Sequence, residues 1–263
     1  MCRHLAYLGP PATLRALVSD PPHGLARQAW APSRQSHGTV NVDAFGAGWY
    51  ADGDPVPARY RREGPIWADP CFADLARVTR TRALLAAVRS ATEGTEHGAA
   101  AAAPYASGRW LFSHNGILDG WPVATASLAA TLPPADLLVL EARCDSALAW
   151  ALVTSRLRAG CGPADALAHV ISAMDDHEIT GRFNFLLTDG EVIAATAAGD
   201  TLCYRLFDAG VVVASEPWDD EPGWTEVSDG SVLEATAAGV DVRPLAAPHL
   251  IAQGPAEEGT ITR

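Results

Sequence analysis

The chain has 263 residues, of which 48% are hydrophobic and 19% are charged, and its formal net charge at pH 7 is −12. This length and composition are typical of a globular protein with a well-buried core in one large domain or two small ones. The acidic excess argues against nucleic acid or an anionic membrane as a partner, since both would repel the chain.

No sequence feature directs the chain to a membrane or out of the cell. Its apolar runs are shorter than the ~18 residues that a membrane helix requires. The N-terminus lacks a charged segment followed by an apolar run, so it does not resemble a secretory signal. The five cysteines are odd in number, widely spaced and without a C-x-x-C pair, which disfavours a disulfide framework or a zinc knuckle. We therefore expect a cytoplasmic protein.

The N-terminal part of the chain predicts strands joined by irregular segments. CRHLAYLG (residues 2–9) predicts a short strand closed by Gly9-Pro10-Pro11, and residues 12–20 follow with a helical pattern. Residues 20–44 are rich in Pro, Ser, His and Gly and predict a long surface segment. FGAGWY (45–50) is a compact apolar run whose glycines indicate a close approach of another backbone.

The middle of the chain changes from strands to helices. LLAAVRSA (84–91) predicts a buried strand, residues 92–105 a low-complexity loop, and WLFSHNG (110–116) another strand. A helical pattern of apolar residues begins at Cys144. A second helix is predicted after Gly162-Pro163, because proline suits the first position of a helix.

After Gly181 the period of the pattern returns to that of strands. FNFLLT, EVIAAT, TLCYRLF and VVVAS are separated by short turns, which predict an antiparallel meander. The order strands, helices, strands predicts an α+β protein whose antiparallel sheets pack against segregated helices. There is no internal repeat and no linker, so we expect a single domain over residues 1–263 with a polar tail from about residue 246.

Cys2 is the first candidate for chemistry, because removal of Met1 would leave a thiol and a free α-amine on one residue. Such an amine has an ordinary pKa of about 7.7–8.0 and can serve as a base. The alternative is a cysteine packed as a small hydrophobic residue on the first strand.

Two further candidates lie at strand ends. Arg89 could hold a substrate carboxylate through a bidentate fork, or it could simply emerge into solvent. In His114-Asn115-Gly116, the Asn115 amide and the Gly116 N–H could donate to one oxyanion, although Asn-Gly is also the commonest pair in hairpin turns.

Asp145 is the fourth candidate. Its carboxylate could bind an ammonium group, or it could cap the helix that follows, a task that Ser146 could share. The eight histidines show no ligand spacing such as H-E-x-x-H, and thiol chemistry needs no metal, so we expect neither a metal nor another cofactor.

The order of these motifs resembles that of the class II glutamine amidotransferases, which are N-terminal-nucleophile hydrolases. The resemblance rests on Cys2, Arg-Ser-Ala-Thr (89–92), His-Asn-Gly (114–116) and Cys-Asp-Ser (144–146). FGAGWY, FNFLLTDG and ASEPWDD (214–220) extend it over about residues 2–245. It implies a four-layer αββα sandwich in which two antiparallel sheets lie between helical layers.

The resemblance also implies a role for each motif. Cys2 would be the nucleophile and its freed amine the base, while Asn115 and Gly116 would form the oxyanion hole. Arg89 would hold the α-carboxylate of a γ-glutamyl group and Asp145 its α-ammonium. Thr92 and His114 would join the substrate contacts. The product of thioester formation and hydrolysis would be glutamate.

Within the family, CRHLAYLG, VRSATEG and ASEPWDDEPGW resemble the branch that acts in ergothioneine biosynthesis. Its members hydrolyse γ-glutamyl-hercynylcysteine sulfoxide. The alternatives are a γ-glutamyl hydrolase of glutathione-like peptides, a stand-alone glutaminase subunit, and a non-catalytic relative that binds a γ-glutamyl group. We expect a small-molecule substrate and leave homo-oligomerisation open.

The chain departs from the family pattern around the substrate pocket. Ala87 stands where the family often has histidine, Ala-Ala-Pro-Tyr (102–105) replaces a loop that commonly reads N-x-H-P-F, and Ala147 stands where Glu is frequent. A trimethylammonium on the leaving group would favour aromatic neighbours. The candidates among the eight tryptophans are Trp49, Trp110, Trp121 and Trp218.

Overall fold

The computed structural model of the protein describes residues 2–92 and 94–246. Met1 and the predicted tail beyond residue 246 lie outside the described residues. The described strands are β1 (Cys2–Thr13), β2 (Ala44–Trp49), β3 (Ala58–Glu63), β4 (Arg80–Arg89), β5 (Tyr105–Ser107), β6 (Trp110–Leu118), β7 (Gly181–Thr188), β8 (Ile193–Ala197), β9 (Cys203–Phe207), β10 (Gly210–Ala214), β11 (Thr225–Glu226), β12 (Ser231–Thr236) and β13 (Gly239–Pro244). The α-helices are α1 (Leu14–Val18), α2 (Leu25–Gln28), α3 (Pro70–Val78), α4 (Ala126–Ala129), α5 (Pro134–Leu138), α6 (Asp145–Arg158) and α7 (Pro163–Asp176).

These strands form two antiparallel sheets. The first has the order β11-β9-β10-β1-β4-β2-β3, and the second has the order β13-β12-β8-β7-β6-β5. β1 lies near the centre of the first sheet, where Tyr7 is opposite Leu84 of β4 and Val212 of β10. β6 and β7 are neighbours in the second sheet, paired from Leu111 opposite Thr188 onward.

The buried apolar side chains form three clusters that separate four layers. One cluster lies between the two sheets and includes Leu85, Leu111 and Leu186. A second packs α1, α2 and α3 against the outer face of the first sheet. A third packs α6 and α7 against the outer face of the second sheet. The α+β class and the αββα sandwich predicted from the resemblance are therefore confirmed.

The four strands after Gly181 do not form one meander, so that prediction was wrong. β7 and β8 pair in the second sheet, whereas β9 and β10 pair in the first. The chain crosses between the sheets at the Gly199-Asp200 turn. The Asn184 side chain holds this crossing, because its Oδ1 accepts hydrogen bonds from the N–H groups of Ala198 and Asp200. The crossing allows β10 to pair with β1.

The predicted end of the first strand was also wrong. β1 continues through Gly9-Pro10-Pro11, and only its register with β4 shifts, between Leu8 and Ala12. Proline has no N–H to donate, which explains a break in the ladder rather than the end of the strand. The predicted helix over residues 12–20 is present as α1, with the Thr13 hydroxyl accepting from the Ala16 N–H.

The predicted surface segment at residues 20–44 is more buried than its composition indicates. It contains α2, and Leu25, Ala29 and Asn41 are fully buried. The close approach predicted from the glycines of FGAGWY is confirmed, because a Cβ on Gly46 would overlap the Ala103 carbonyl oxygen. Among the described residues, none of the helices has both the length and the apolar character to span a bilayer.

Candidate active site

Strand pairing brings Cys2 and Arg89 side by side at one end of the first sheet. Cys2 is the first residue of β1 and lies opposite Arg89, the last residue of β4. Arg89 is also paired with Ala44 of β2. The half-buried thiol and the 8% exposed guanidinium therefore share one edge, although 86 residues of the chain lie between them.

A small pocket opens at this edge. Its wall combines the Cys2 thiol and other polar side chains with apolar ones. The lining residues are Cys2, Phe45, Ala87, Arg89, Ala101, Ala103, Tyr105, His114 and Ser146. The loop at residues 102–105, which departs from the family pattern, thus contributes directly to this wall.

Asn115 contacts Cys2 from the opposite sheet. Its Oδ1 accepts a hydrogen bond from the Cys2 backbone nitrogen at 3.1 Å. Asn115 is fully buried, and its Nδ2 has no hydrogen-bond partner among the residues that the structure describes. The side chain thus holds the Cys2 nitrogen with one end and leaves a donor free at the other.

The Asn115-Gly116 pair does not form a hairpin turn. Both residues lie inside β6, where Asn115 is opposite Asn184 and Gly116 is opposite Phe183 of β7. A Cβ at position 116 would overlap the Arg182 carbonyl oxygen, so only glycine fits there. The hairpin interpretation of this motif was therefore wrong, and the glycine serves a close approach between two strands.

Arg89 is held from one side only. Its Nη2 donates to the Thr95 hydroxyl at 3.0 Å and to the Glu96 carbonyl at 3.1 Å. Its Nη1 is buried and has no partner among the described residues. Thr92 affects Arg89 only through Thr95, because the Thr92 carbonyl oxygen accepts a hydrogen bond from the Thr95 hydroxyl at 2.6 Å. Thr95 was missed in the sequence, where it is one of several polar residues in a low-complexity loop.

His114 lines the pocket, but the protein itself occupies both of its ring nitrogens. Nε2 lies 2.9 Å from the Arg182 carbonyl oxygen, and Nδ1 lies 3.1 Å from the Ser146 hydroxyl. Burial lowers the pKa of His114, although Asp145 opposes that shift. The ring is therefore neutral at pH 7. A carbonyl oxygen can only accept, so Nε2 carries the proton and Nδ1 accepts from Ser146.

Asp145 lies behind the pocket wall rather than on it. It is 3% exposed, and its Oδ2 accepts from the Leu118 N–H while its Oδ1 accepts from the Ser146 N–H. The N-cap of α6 is Cys144, so the interpretation of Asp145 or Ser146 as the capping residue was wrong. These contacts fix a buried carboxylate one residue from the Ser146 hydroxyl.

The profile of the class-II glutamine amidotransferases matches residues 14–208. The chain belongs to this family. Among curated proteins, a γ-glutamyl-hercynylcysteine sulfoxide hydrolase of Mycolicibacterium smegmatis is 41% identical over 93% of this chain and 100% of its own length. A protein of the same name from Mycobacterium tuberculosis is 39% identical over 93% of this chain and 97% of its own length.

Solved structures of class-II amidotransferases share the fold. A glutamine aminotransferase class-II domain protein from Silicibacter pomeroyi superposes with a TM-score of 0.68 at 25% identity, covering 94% of this chain and all of that one. The glutamine phosphoribosylpyrophosphate amidotransferase of B. subtilis gives 0.67 at 17% identity, covering 93% of this chain and 49% of that one. The second likeness concerns the fold alone.

This class-II amidotransferase chain also buries charged residues next to Cys2 that the sequence did not reveal. Arg3 is fully buried, and its three guanidinium nitrogens have no hydrogen-bond partner within the described part of the chain. Burial lowers the pKa of Arg3, and the carboxylates of Asp200 and Glu216 oppose that shift. Asp200 also lies 3.2 Å from Arg182 Nε, close enough for an ion pair but outside hydrogen-bond geometry.

Glu216, in the ASEPWDD segment (214–220) of the amidotransferase resemblance, also belongs to this group of buried charged residues. Glu216 is 1% exposed and accepts hydrogen bonds from the backbone N–H groups of Ser33 and Arg34. Glu216 therefore fastens the irregular segment that follows α2, and its charge also acts on the buried Arg3 guanidinium. The candidate tryptophans lie elsewhere, since the pocket wall around Cys2 includes none of Trp49, Trp110, Trp121 and Trp218.

Proposed function

We propose that this chain hydrolyses the γ-glutamyl amide of γ-glutamyl-hercynylcysteine sulfoxide, a step of ergothioneine biosynthesis, and releases glutamate and hercynylcysteine sulfoxide. The observation that carries the chemistry is the contact of Cys2 with an Asn115 side chain that keeps a free donor, beside the half-satisfied Arg89. The identity of the substrate is supported by two relatives of that name, which match the chain over nearly their whole length. We also propose that residues 1–263 form one domain.

The reaction begins after removal of Met1, which exposes the Cys2 α-amine. The amine takes the thiol proton, and the thiolate attacks the γ-carbonyl carbon of the substrate. The carbonyl oxygen becomes an oxyanion that accepts hydrogen bonds from Asn115 Nδ2 and the Gly116 N–H. Asn115 Oδ1 keeps the amine oriented throughout, because it already accepts from that nitrogen.

Collapse of the tetrahedral intermediate breaks the C–N bond. The leaving amine takes the proton from the Cys2 α-ammonium, and a γ-glutamyl thioester remains on Cys2. Water then attacks the thioester carbon while the same amine accepts a proton from it. Glutamate leaves and the thiol is restored, so each proton that the amine takes up is returned within the cycle.

The pocket also suits the zwitterionic head of a γ-glutamyl group. Arg89 Nη1 is the free donor for the α-carboxylate, because Nη2 is already bound to Thr95 and Glu96. Asp145 supplies negative charge for the α-ammonium from behind the wall. Thr92 and His114 contribute through the residues that they hold, Thr95 and Ser146.

The decisive experiment combines intact-mass analysis with a substrate panel. We expect a mature protein that begins at Cys2 and releases glutamate fastest from the hercynyl conjugate, compared with glutathione and free glutamine. Preference for glutathione would favour a hydrolase of glutathione-like peptides, and preference for glutamine would favour a glutaminase subunit. Either preference would overturn the proposed substrate.

A matched pair of variants tests the chemistry itself. Cys2→Ala should abolish turnover, whereas Cys71→Ala, which replaces an exposed cysteine, should leave it unchanged. Trapping a γ-glutamyl adduct on the wild-type protein by rapid acid quench, and its absence in Cys2→Ala, would identify the thioester. A non-catalytic γ-glutamyl-binding relative would instead be indicated if the mature protein retains Met1 and if Cys2→Ala releases glutamate no more slowly than the wild type.

A further inference from the structure

Ser146 lies on the pocket wall but has no assigned part in the reaction. It is half-buried, and it shares the wall with Cys2, Arg89 and His114. It is the second residue of α6 and does not cap that helix, whose N-cap is Cys144. Its hydroxyl is therefore not consumed by the helix terminus that the sequence pattern suggested.

The hydrogen bonds behind Ser146 fix the direction of its hydroxyl. His114 Nε2 donates to the Arg182 carbonyl oxygen at 2.9 Å, which leaves Nδ1 as an acceptor on the neutral ring. Nδ1 lies 3.1 Å from Ser146 Oγ and Asp145 Oδ1 lies 3.4 Å from it, and both atoms only accept, so the single hydroxyl proton is directed at these two acceptors. The lone pairs of Oγ then remain as acceptors on the side of the pocket.

A buried carboxylate stands directly behind this acceptor. Asp145 Oδ1 lies 3.4 Å from Ser146 Oγ and is fixed there by the Ser146 N–H at 2.8 Å. The hydroxyl oxygen thus presents an acceptor in a region of negative potential. Arg89 lines the same pocket, and its free Nη1 adds a hydrogen-bond donor to it.

We propose that Ser146 binds the substrate's α-ammonium directly, accepting one of its N–H groups, while Asp145 supplies the charge. The inference rests on the proposed γ-glutamyl chemistry and adds a specificity residue to it. His114 is then a positioning residue, because its fixed tautomer keeps Ser146 an acceptor. The pocket therefore selects a free α-amino group and disfavours glutaryl compounds, which lack one.

The test compares γ-glutamyl and glutaryl amides of one chromogenic amine in the wild type, in Ser146→Ala and in Ser155→Ala. Ser155 lies on the same helix outside the pocket wall, so its variant controls for loss of a serine hydroxyl from α6. Ser146→Ala should raise KM for the γ-glutamyl amide by about 10- to 100-fold, the usual effect of one hydrogen bond to a charged group. Its KM for the glutaryl amide should not change.

An equal loss on both amides would overturn the inference, because it would indicate a purely structural role for Ser146. Binding of glutamate and glutarate measured by calorimetry gives a second readout that needs no turnover. If the wild type hydrolyses no γ-glutamyl amide, the proposed function fails. Calorimetry still decides the role of Ser146, since the variant should lose affinity for glutamate alone. Unchanged glutamate affinity would refute that role.

Discussion

Two asparagines that face each other across β6 and β7 should respond in opposite ways to truncation. Asn115 and Asn184 are directly opposite in the strand register, and both are fully buried. Asn115 has one unpartnered amide nitrogen. Asn184 uses both ends of its side chain, since Oδ1 accepts from two backbone N–H groups and Nδ2 donates to the Asp200 carbonyl at 2.8 Å. We predict that Asn115→Ala removes activity and Asn184→Ala removes stability.

The magnitudes follow from these contacts. Asn115→Ala loses one hydrogen bond to the Cys2 nitrogen, worth about 1 kcal/mol, but it also removes an unsatisfied buried donor that costs about 1–3 kcal/mol. The free energy of unfolding should therefore stay within about 2 kcal/mol of the wild type. Loss of the oxyanion donor should lower kcat by about 100- to 1,000-fold.

Asn184→Ala should instead lower the free energy of unfolding by at least about 3 kcal/mol. The substitution leaves the N–H groups of Ala198 and Asp200 and the Asp200 carbonyl without their partner, and each such group costs about 1–3 kcal/mol. The hydrogen bonds given for the Asn184 side chain go to residues 198–201 and not to Cys2, so the folded fraction should retain most of its turnover.

The assay is urea unfolding of both variants beside steady-state glutamate release, on proteins whose N-terminus has been confirmed by mass. Turnover is expressed per folded molecule, using the unfolding curve at the assay temperature. The reasoning is refuted if Asn115→Ala is destabilised as strongly as Asn184→Ala. It is equally refuted if Asn115→Ala loses less than about tenfold in kcat, because Nδ2 would then not serve the transition state.

Three further predictions concern the surroundings of this pair. Gly116→Ala should be destabilising by several kcal/mol in urea unfolding, since its Cβ would overlap the Arg182 carbonyl oxygen and crowd the His114 ring. Arg89→Lys should raise KM for γ-glutamyl amides but not for analogues without an α-carboxylate, because a lysine has a single nitrogen and cannot bind Thr95 and Glu96 while keeping a second nitrogen for the carboxylate. Burial, with help from nearby Arg3, lowers the pKa of His4 from its ordinary value to about 3, so below pH 6.5 the unfolded chain takes up a proton that the folded protein does not. Between pH 7 and pH 5 the wild type should therefore lose about 2 kcal/mol more of its free energy of unfolding than His4→Gln does.

The types and the order of the main elements were predictable because they depend on local periodicity, whereas the four-layer arrangement was implied by the family resemblance. The apolar stripes of α6 and α7 and the short turns after Gly181 determine which elements form and in what order. Local periodicity does not predict the pairing of strands that are not consecutive in the sequence. The pairing of β8 with β12 and of β10 with β1 requires the chain to cross between the sheets, and the buried Asn184 side chain holds that crossing.

The sequence predicted which residues would form the site better than it predicted the contacts that those residues make. The motifs at Cys2, Arg89 and Asn115 were recognisable in the sequence, and strand pairing brings these residues together. The contacts of Thr95 and Ser146 were not predictable. Thr95 was one of several polar residues in a loop, and Ser146 was considered only as a helix cap and as part of the Cys-Asp-Ser motif. Their importance comes from three-dimensional contacts with Arg89 and His114, which no local pattern encodes.

The pocket keeps its donors unpaired in the resting protein. Asn115 Nδ2 and Arg89 Nη1 are both buried without a partner among the described residues. Because buried unsatisfied groups each cost about 1–3 kcal/mol, a ligand that pairs with both donors recovers that cost. In the proposed complex a γ-glutamyl head would do so at two points, with its γ-carbonyl oxygen at Asn115 and its α-carboxylate at Arg89. Binding of the head would then place the γ-carbonyl carbon next to the thiol, so that recognition of the substrate and activation of its carbonyl depend on the same unpaired donors.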